Sequence, residues 1–333
     1  MRVSTAVKAR SGTRLSVAFE PRRGARMGSA MEFGQIAGLV AAACWAIGSF
    51  IYSRLDAPAA AMNLAKNAIS GTLLVASIPL FGSGLAPWLA APASAYLWLV
   101  ISAVVGIQIG DEAYFRSIQI LGPRKALVLT TLTPPFSAVL GWFWLAEQLE
   151  LPALVAMAIT LAGIAVVIRD RNLASDRSGL HEGDPRDGLL LGIFAAFCQS
   201  TGLALSKVAM EYLPPLESSA IRIVAAFIGG FLVAQSTGVL PRWKQQLLAP
   251  GVPRLLIVAS FIGTYIGIWL SLVSANTVDL AIATTQMSMT PVFMVLLVAV
   301  FLRKKISLLA FIGMAIAIVG VGMLMRPDVL LGG

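Results

Sequence analysis

Long apolar runs separated by short polar stretches dominate the chain, at about 36–53, 59–81, 96–119, 125–146, 151–168, 188–208, 216–237, 254–275, 280–302 and 306–325. Each is close to the roughly 20 residues that a helix needs to cross the hydrocarbon core of a bilayer. A closed β-barrel would show weakly alternating segments of about ten residues instead. The pattern predicts an all-α integral membrane protein with ten transmembrane helices.

The same order of small residues occurs twice. Gly34, Gly38, Ala41, Ala42, Cys44 and Gly48 of the first run recur 154 positions later as Gly188, Gly192, Ala195, Ala196, Cys198 and Gly202. Gly106 and Gly110 recur 157 positions on as Gly263 and Gly267, Thr133-Pro134 as Thr290-Pro291, and Gly163 as Gly320. Lys66 and Arg222, 156 apart, hold matching places in the second and seventh runs. A nearly constant offset kept over so many positions marks an internal repeat. Five spans per half is an odd number, so the second half enters the membrane from the opposite side. Two inverted five-helix repeats follow, the plan of many secondary transporters. The expected divisions are a first repeat over 34–170, a hydrophilic linker over 171–187 and a second repeat over 188–326. The glycines themselves read as small-xxx-small packing faces.

Composition agrees: 58% of residues are hydrophobic and 12% charged, a membrane-protein balance. The formal charge of +9 has a topological explanation, and no nucleic-acid partner is expected. Cys44 and Cys198 are one repeat position seen twice, His181 has no companion, and no metal or other cofactor is implied. Residues 1–33 carry Arg2, Lys8, Arg10, Arg14, Arg22, Arg23 and Arg26 against Glu20 and Glu32. No apolar core precedes the first span, so a cleavable signal is not expected. The segment reads as a disordered basic extension or the product of an upstream start codon, with Met27 and Met31 just before the first span; a targeting or lipid-surface role is the lesser alternative.

The ten spans, GDEAYF in the third, TLTPPFSAVLGWFWLAEQL running into a short loop at Glu147, and LAGIAVVI in the fifth resemble the drug/metabolite transporter superfamily in its EamA-like branch. The resemblance covers about 34–326. It implies alternating access by two inverted five-helix halves, with the fourth and ninth helices lining a central cavity. Small multidrug relatives use a carboxylate in the first helix for proton coupling. Here that neighbourhood reads AAACWAIGS, so their coupling mechanism does not carry over.

Short loops rich in Lys and Arg stay cytoplasmic. Arg54; Arg124 and Lys125; Arg169, Arg171, Arg177 and Arg186; Arg242, Lys244 and Arg254; and Arg303, Lys304 and Lys305 all fall in alternate loops on one side. The opposite loops leave only Lys207 at a span end and Arg326 in the tail. The expectation is a multi-pass protein of the cell (inner) membrane with both termini outside. Ten-helix relatives are expected to keep their termini in the cytoplasm, and the basic extension pulls the same way; a start at Met27 or Met31 removes most of that conflict.

Ionisable groups inside spans normally face a bundle interior, a partner or a watery cavity, because a charge in hydrocarbon costs roughly 2.5–3.5 kcal/mol even on lenient scales. The third span holds Asp111, Glu112 and Arg116. Glu112 and Arg116, four apart, can neutralise one another, which leaves Asp111 on a stripe with Gln108, Phe115 and Tyr114. Asn63, Lys66 and Asn67 of the second span lie at a compatible depth. One reading is a structural pair of Lys66 with Asp111 or Glu112. The other makes one of these two carboxylates the coupling group, binding a proton or a cationic group during transport. The positions equivalent to Asp111 and Glu112 are Ile268 and Trp269, so the matching helix offers Arg222 no acid. Its available partners are Glu211, Glu217 and Asp279; failing those, it is an anion contact or bonds backbone carbonyls.

Thr130, Thr131, Thr133, Pro134 and Pro135 interrupt the fourth span, since proline lacks a donor and clashes with the preceding turn. Thr285, Gln286, Ser288, Thr290 and Pro291 do so more mildly in the ninth. Backbone groups freed this way are tolerated only against protein or a watery cavity, which makes these segments candidate cavity walls. Trp45, Gln199, Tyr265 and Trp269 are candidates for stacking and hydrogen bonding. The expected function is a secondary transporter, an exporter of small polar metabolites such as amino acids or related compounds, with the lipid bilayer and a proton or counter-substrate as further partners. The alternatives are a membrane scaffold, or a protein acting on lipid-linked substrates. Against an enzyme stands the lack of a nucleophile–base pair, metal-ligand cluster or phosphate-binding glycine loop.

Overall fold

The computed structural model describes residues 27–52, 54–55, 57–121, 126, 129–169, 184–301, 303 and 306–325, and all regular structure among them is helical. The main helices are α1 (Met27–Tyr52), α2 (Ala59–Phe81), α3 (Ala93–Ser102), α4 (Gly110–Leu121), α5 (Thr133–Trp144), α6 (Leu151–Ile168), α7 (Pro185–Ala209), α8 (Pro215–Ser236), α9 (Val252–Ala259), α10 (Gly267–Thr277), α11 (Leu280–Met287), α12 (Thr290–Phe301) and α13 (Leu308–Met325). Among the described residues eight stretches are long and apolar enough to cross a membrane: Ala60–Phe81, Ala93–Tyr114, Leu151–Ile168, Pro185–Ala209, Pro215–Ser236, Val252–Thr277, Leu280–Phe301 and Leu308–Met325. These correspond to eight of the ten expected spans. The apolar part of α1, Ile36–Tyr52, is shorter, and α5 begins only at the prolines of the fourth run. Of the basic extension, residues 1–26 lie outside the described residues, and α1 already starts at Met27. Most of the linker, with His181, also lies outside them.

In lipid the helices need no hydrophobic driving force to associate, so small residues decide where backbones meet. Two crossings carry the bundle, and they are one contact made twice with the halves exchanged. A methyl group on Gly48 of α1 would stand 2.9 Å from the Cα of Gly263, and one on Gly202 of α7 would stand 2.8 Å from the Cα of Gly106. No side chain fits at either crossing. Farther out, α6 and α13 meet the same way: a Cβ on Gly163 would lie 2.4 Å from the backbone N of Ala317, and one on Gly320 2.5 Å from that of Thr160. Large apolar side chains such as Leu80, Phe143, Leu232, Val300 and Phe311 are left exposed at the periphery, where lipid replaces water.

Gly106 and Gly263 each sit in a π-helical segment, Ala103–Ile109 joining α3 to α4 and Ser260–Ile266 joining α9 to α10. Both are seven residues long and they are 157 positions apart, the offset of the sequence repeat. The wider turn puts carbonyls out of register with the α-ladder. One of them, Ser260 O, accepts from the Ser70 hydroxyl at 3.1 Å. The repeat also governs backbone strain: the described non-glycine residues with positive φ are Ala146 (53°) and Arg303 (51°), again 157 apart.

The proline interruptions fall where expected. The chain turns at Thr131-Leu132 before α5 and at Ser288-Met289 between α11 and α12. Leu132 N bonds Leu129 O at 3.1 Å and Met289 N bonds Gln286 O at 3.1 Å, tightened i→i−3 turns that take up part of the lost ladder.

Because backbone meets backbone at the α7 crossing, Gly202→Ala is expected to lower stability by about 1–3 kcal/mol, the range for overpacking. Gly322→Ala, with open space around its Cβ, leaves it unchanged. The thermal midpoints of the two purified variants in detergent check this, and equal midpoints would remove the crossing from the list of constraints.

Candidate functional site

Burying a charge is tolerable only if another charge or a set of dipoles replaces its hydration, and one cluster in the apolar interior does this with groups from both halves. From α2, Lys66 reaches across so that its Nζ lies 3.4 Å from Oδ2 of Asp111 on α4. Their side chains are only 14% and 22% exposed. The Gln199 side chain of α7 hydrogen-bonds the same carboxylate, and the guanidinium of Arg222 on α8 faces it. Tyr114, one turn from Asp111, has its hydroxyl in the field of that carboxylate.

The structure corrects the sequence expectation for Arg222. Glu217 is taken up elsewhere: its Oε1 accepts from the backbone N (2.8 Å) and hydroxyl (2.6 Å) of Ser83. Asp279 faces Glu147 and Lys207. The acid facing Arg222 is Asp111 of the other half. The reason is packing: α8 lies against α2, α3 and the π segment at Gly106. There Arg222 lies against Gly106, with Nη2 3.5 Å from where a Cβ would be, an ordinary contact distance.

Glu112 is not in this cluster. It pairs with Arg116 at 2.9 Å on the outside of α4, the two side chains 47% and 63% exposed. Gln108 is spent on helix pairing, donating from Nε2 to the carbonyl of Ala226 on α8. Asn63 is buried with Oδ1 unpartnered, and Asn67, one turn on, is buried with neither side-chain atom bonded. With Lys66 they occupy positions i, i+3 and i+4 of one helix face.

The remaining candidates are dispersed. Tyr265 and Trp269 form an aromatic row with Phe81, ring centroids 6.3 Å apart at each step, and the Tyr265 hydroxyl lies 2.7 Å from that of Ser77. Trp45 packs over Gly267 and into the Leu272 cluster. Gln286 is buried, its Oε1 accepting from Ser274 at 3.3 Å while Nε2 is unpartnered. Thr133 has a buried unpartnered hydroxyl, Pro134 is buried beside it, and Thr130 is half-buried one turn earlier. Thr290 bonds the Met287 carbonyl at 2.8 Å. No described hydrogen bond or ion pair joins the two proline-interrupted segments to Lys66 and Asp111. Among the described residues no group of three or more His, Cys, Asp or Glu side chains is placed to hold a metal. A cleft of about 260 Å³, lined by Leu64, Leu240, Trp243, Lys244, Leu247 and Leu248, lies under a short surface helix and is almost wholly apolar.

A second ionic cluster, not anticipated from the sequence, closes one end of the bundle. Lys207 at the end of α7 places Nζ 2.6 Å from Oε1 of Glu147 and 2.6 Å from the carbonyl of Val278. Oε2 of Glu147 accepts from the backbone N of Leu280 at 2.8 Å, satisfying a free donor at the start of α11. The left-handed turn at Ala146 carries Glu147 back over Gly141, whose missing Cβ would stand 2.5 Å from Oε2. Burial, and next the nearby Glu147, push the Asp279 carboxyl above the usual carboxylate range, with Lys207 opposing. The available signal was the acid at Glu147 facing a lone lysine at a span end.

A family model described as the EamA-like transporter family matches residues 32–169 and again 186–326. An uncharacterized transporter of Archaeoglobus fulgidus is 22% identical over 291 residues, 87% of this chain and 96% of its own length. Protein LicB of Haemophilus influenzae is 25% identical over 203 residues, 60% of this chain and 66% of that protein. One crystal structure of a protein superposes with a TM-score of 0.70 at 17% identity, over 90% of this chain and 99% of the other; at that identity it speaks for the fold alone.

The raised Asp279 carboxyl sets a pH dependence. A group that binds its proton more tightly when folded stabilises the protein below its unfolded value, and this contribution is lost as pH rises through the folded value. Thermal stability of the wild type is therefore expected to rise as pH falls through the raised folded value toward the ordinary Asp value of about 3.9, while Asp279→Asn lacks this component. Parallel melting curves for the two proteins across that range would remove Asp279 from the account.

Proposed function

The chain belongs to the EamA-like transporter family, and on that premise we propose that it is a secondary transporter exporting small polar metabolites, amino acids or related compounds, by alternating access between two inverted five-helix repeats. It is a multi-pass membrane protein and a membrane transporter of the drug/metabolite type. Substrate class, direction and mechanism are our reading. The observation that carries it is the Lys66–Asp111–Gln199–Arg222 cluster, in which α2 and α4 of one half meet α7 and α8 of the other inside an apolar bundle. Charges kept there against a cost of roughly 2.5–3.5 kcal/mol each call for a function. Any movement of one half against the other changes their distances.

Asp111 takes the coupling role in this reading. Glu112 is already paired with Arg116 at the periphery, whereas Asp111 is held by groups that would move when the halves rock. The Glu147–Lys207–Asp279 cluster supplies the closed face: it ties the α5–α6 loop to the end of α7 and the start of α11, so it must open when that end does. In this reading, taken from loop charge, this end is outside and both termini with it, in an inner membrane. Turns at Ala146 and Arg303 occupy one repeat position, yet the next residue is Glu147 in one copy and Lys304 in the other. The lysine at the second copy is the bias expected of an inside loop under the loop-charge rule.

The test compares cells overproducing the wild type with cells overproducing Asp111→Asn at matched membrane abundance, profiling intracellular and extracellular small molecules by mass spectrometry. The wild type is expected to move a polar metabolite outward, and the variant to move it slower by roughly tenfold or more, the scale of a lost charge-assisted contact. Undiminished movement in the variant would return Asp111 to a structural role.

A further inference from the structure

We propose that the transported molecule carries a single carboxylate, held by the guanidinium of Arg222. This rests on the transport reading above and names its substrate class. The argument starts from a charge count. The interior cluster holds two cations, Lys66 and Arg222, and one carboxylate, Asp111. Glu112 and Arg116 cancel each other at the periphery. Glu217, buried at the start of α8, bonds only the neutral Ser83 and leaves Oε2 unpartnered, and it forms no ion pair with Arg222 within 4.0 Å. Lys66, Asp111 and Arg222 thus hold one more cation than carboxylate among themselves. Uncompensated charge in a low-dielectric interior is costly, and the deficit is removed by one negative charge.

Geometry then assigns that charge to Arg222. Asp111 makes its close ion pair with Lys66, while Arg222, only 6% exposed, forms no ion pair within 4.0 Å among the described residues and its Nε has no hydrogen-bond partner. Buried polar atoms are nearly always satisfied, so an orphaned donor on a buried guanidinium points to a missing acceptor. The planar fork of arginine matches a carboxylate through two parallel hydrogen bonds. On α2, which packs against α8, Asn67 is 1% exposed with both side-chain atoms unpartnered, and Asn63 leaves Oδ1 free. These sit on the face of α2 that presents Lys66, and they offer both donors and an acceptor to the polar body of a ligand.

The same count excludes other classes. A cation adds to the excess positive charge and finds Asp111 already occupied by Lys66. A dianion overcompensates and brings its second charge toward Asp111. A molecule without a carboxylate leaves the guanidinium unpaired.

The experiment extends metabolite profiling to cells overproducing wild type, Arg222→Lys and Arg222→Gln, at matched membrane abundance. The compounds redistributed by wild type are expected to carry one carboxylate. Arg222→Gln is expected to slow their movement by roughly tenfold or more, and Arg222→Lys, which keeps the charge without the fork, by less. If the compounds moved lack a carboxylate or are polyanions, or if Arg222→Gln moves them at the wild-type rate, the substrate class assigned here is wrong while the transport reading stands. Redistribution of nothing by wild type overturns both. Should Arg222→Gln fail to accumulate, the carboxylate count of the compounds moved by the wild type, with the Arg222→Lys rate, decides the matter.

Discussion

Asp111 is the residue around which the interior is arranged, because a carboxylate taken out of water must be given back its lost solvation by fixed groups. Lys66, Gln199 and Arg222 supply that from three helices, and three helices can converge on one carboxylate only if their backbones come very close. The glycine crossings make that approach possible. Gly106 meets Gly202 with no room for a side chain, which brings α7, and with it Gln199, against α4. Arg222 arrives from α8, which packs against the same π segment. Small residues spaced for packing and charged residues placed for chemistry are thus consequences of one geometric requirement.

The two-fold repeat supplies the crossings but not the charges. Gly110 and Gly267 are equivalent, and each faces a cysteine and its neighbour from the first helix of the opposite half. A Cβ on Gly110 would meet Cys198 and Gln199, and one on Gly267 would meet Trp45 and Cys44. One copy of this niche therefore holds Gln199 beside Asp111, and the other holds Trp45 against Gly267, with Ile268 at the position of Asp111. In the second copy the space of the polar group is filled by an indole packed into the Leu272 cluster. A symmetric scaffold has been given one polar and one apolar version of the same contact.

This explains what the sequence made legible and what it did not. A repeat offset compares each residue with its own twin, so it located the crossings, the paired proline breaks and the matching places of Lys66 and Arg222. The π segments and the positive-φ turns at Ala146 and Arg303 obey the same offset, though nothing in the hydrophobic pattern marks them: AVVGIQI and SFIGTYI read as ordinary apolar helix. An offset says nothing of which helix of one half lies against which of the other. Arg222 was matched against the eighth span, its neighbour in the repeat, whereas its acid stands on the third span of the opposite half. Glu147 and Lys207 were missed for the same reason. They are 60 positions apart, in different halves, and only the folded turn at Ala146 brings them to 2.6 Å.

Both ionic clusters therefore join the halves, and neither lies within one. Packing inside a half is carried by apolar and small residues, which are indifferent to modest sliding. Between the halves, the charge-assisted contact of Lys207 with Glu147 at 2.6 Å loses strength quickly with separation. Such a division concentrates the energetic difference between alternative arrangements in a few groups. Lys207 and Glu147 bias one end of the bundle toward closure, and the interior cluster responds to what enters it. Because a ligand shifts a conformational equilibrium only by its differential affinity for the two states, the groups able to translate occupancy into movement are those that span the boundary. Here they are Lys66, Asp111, Gln199 and Arg222.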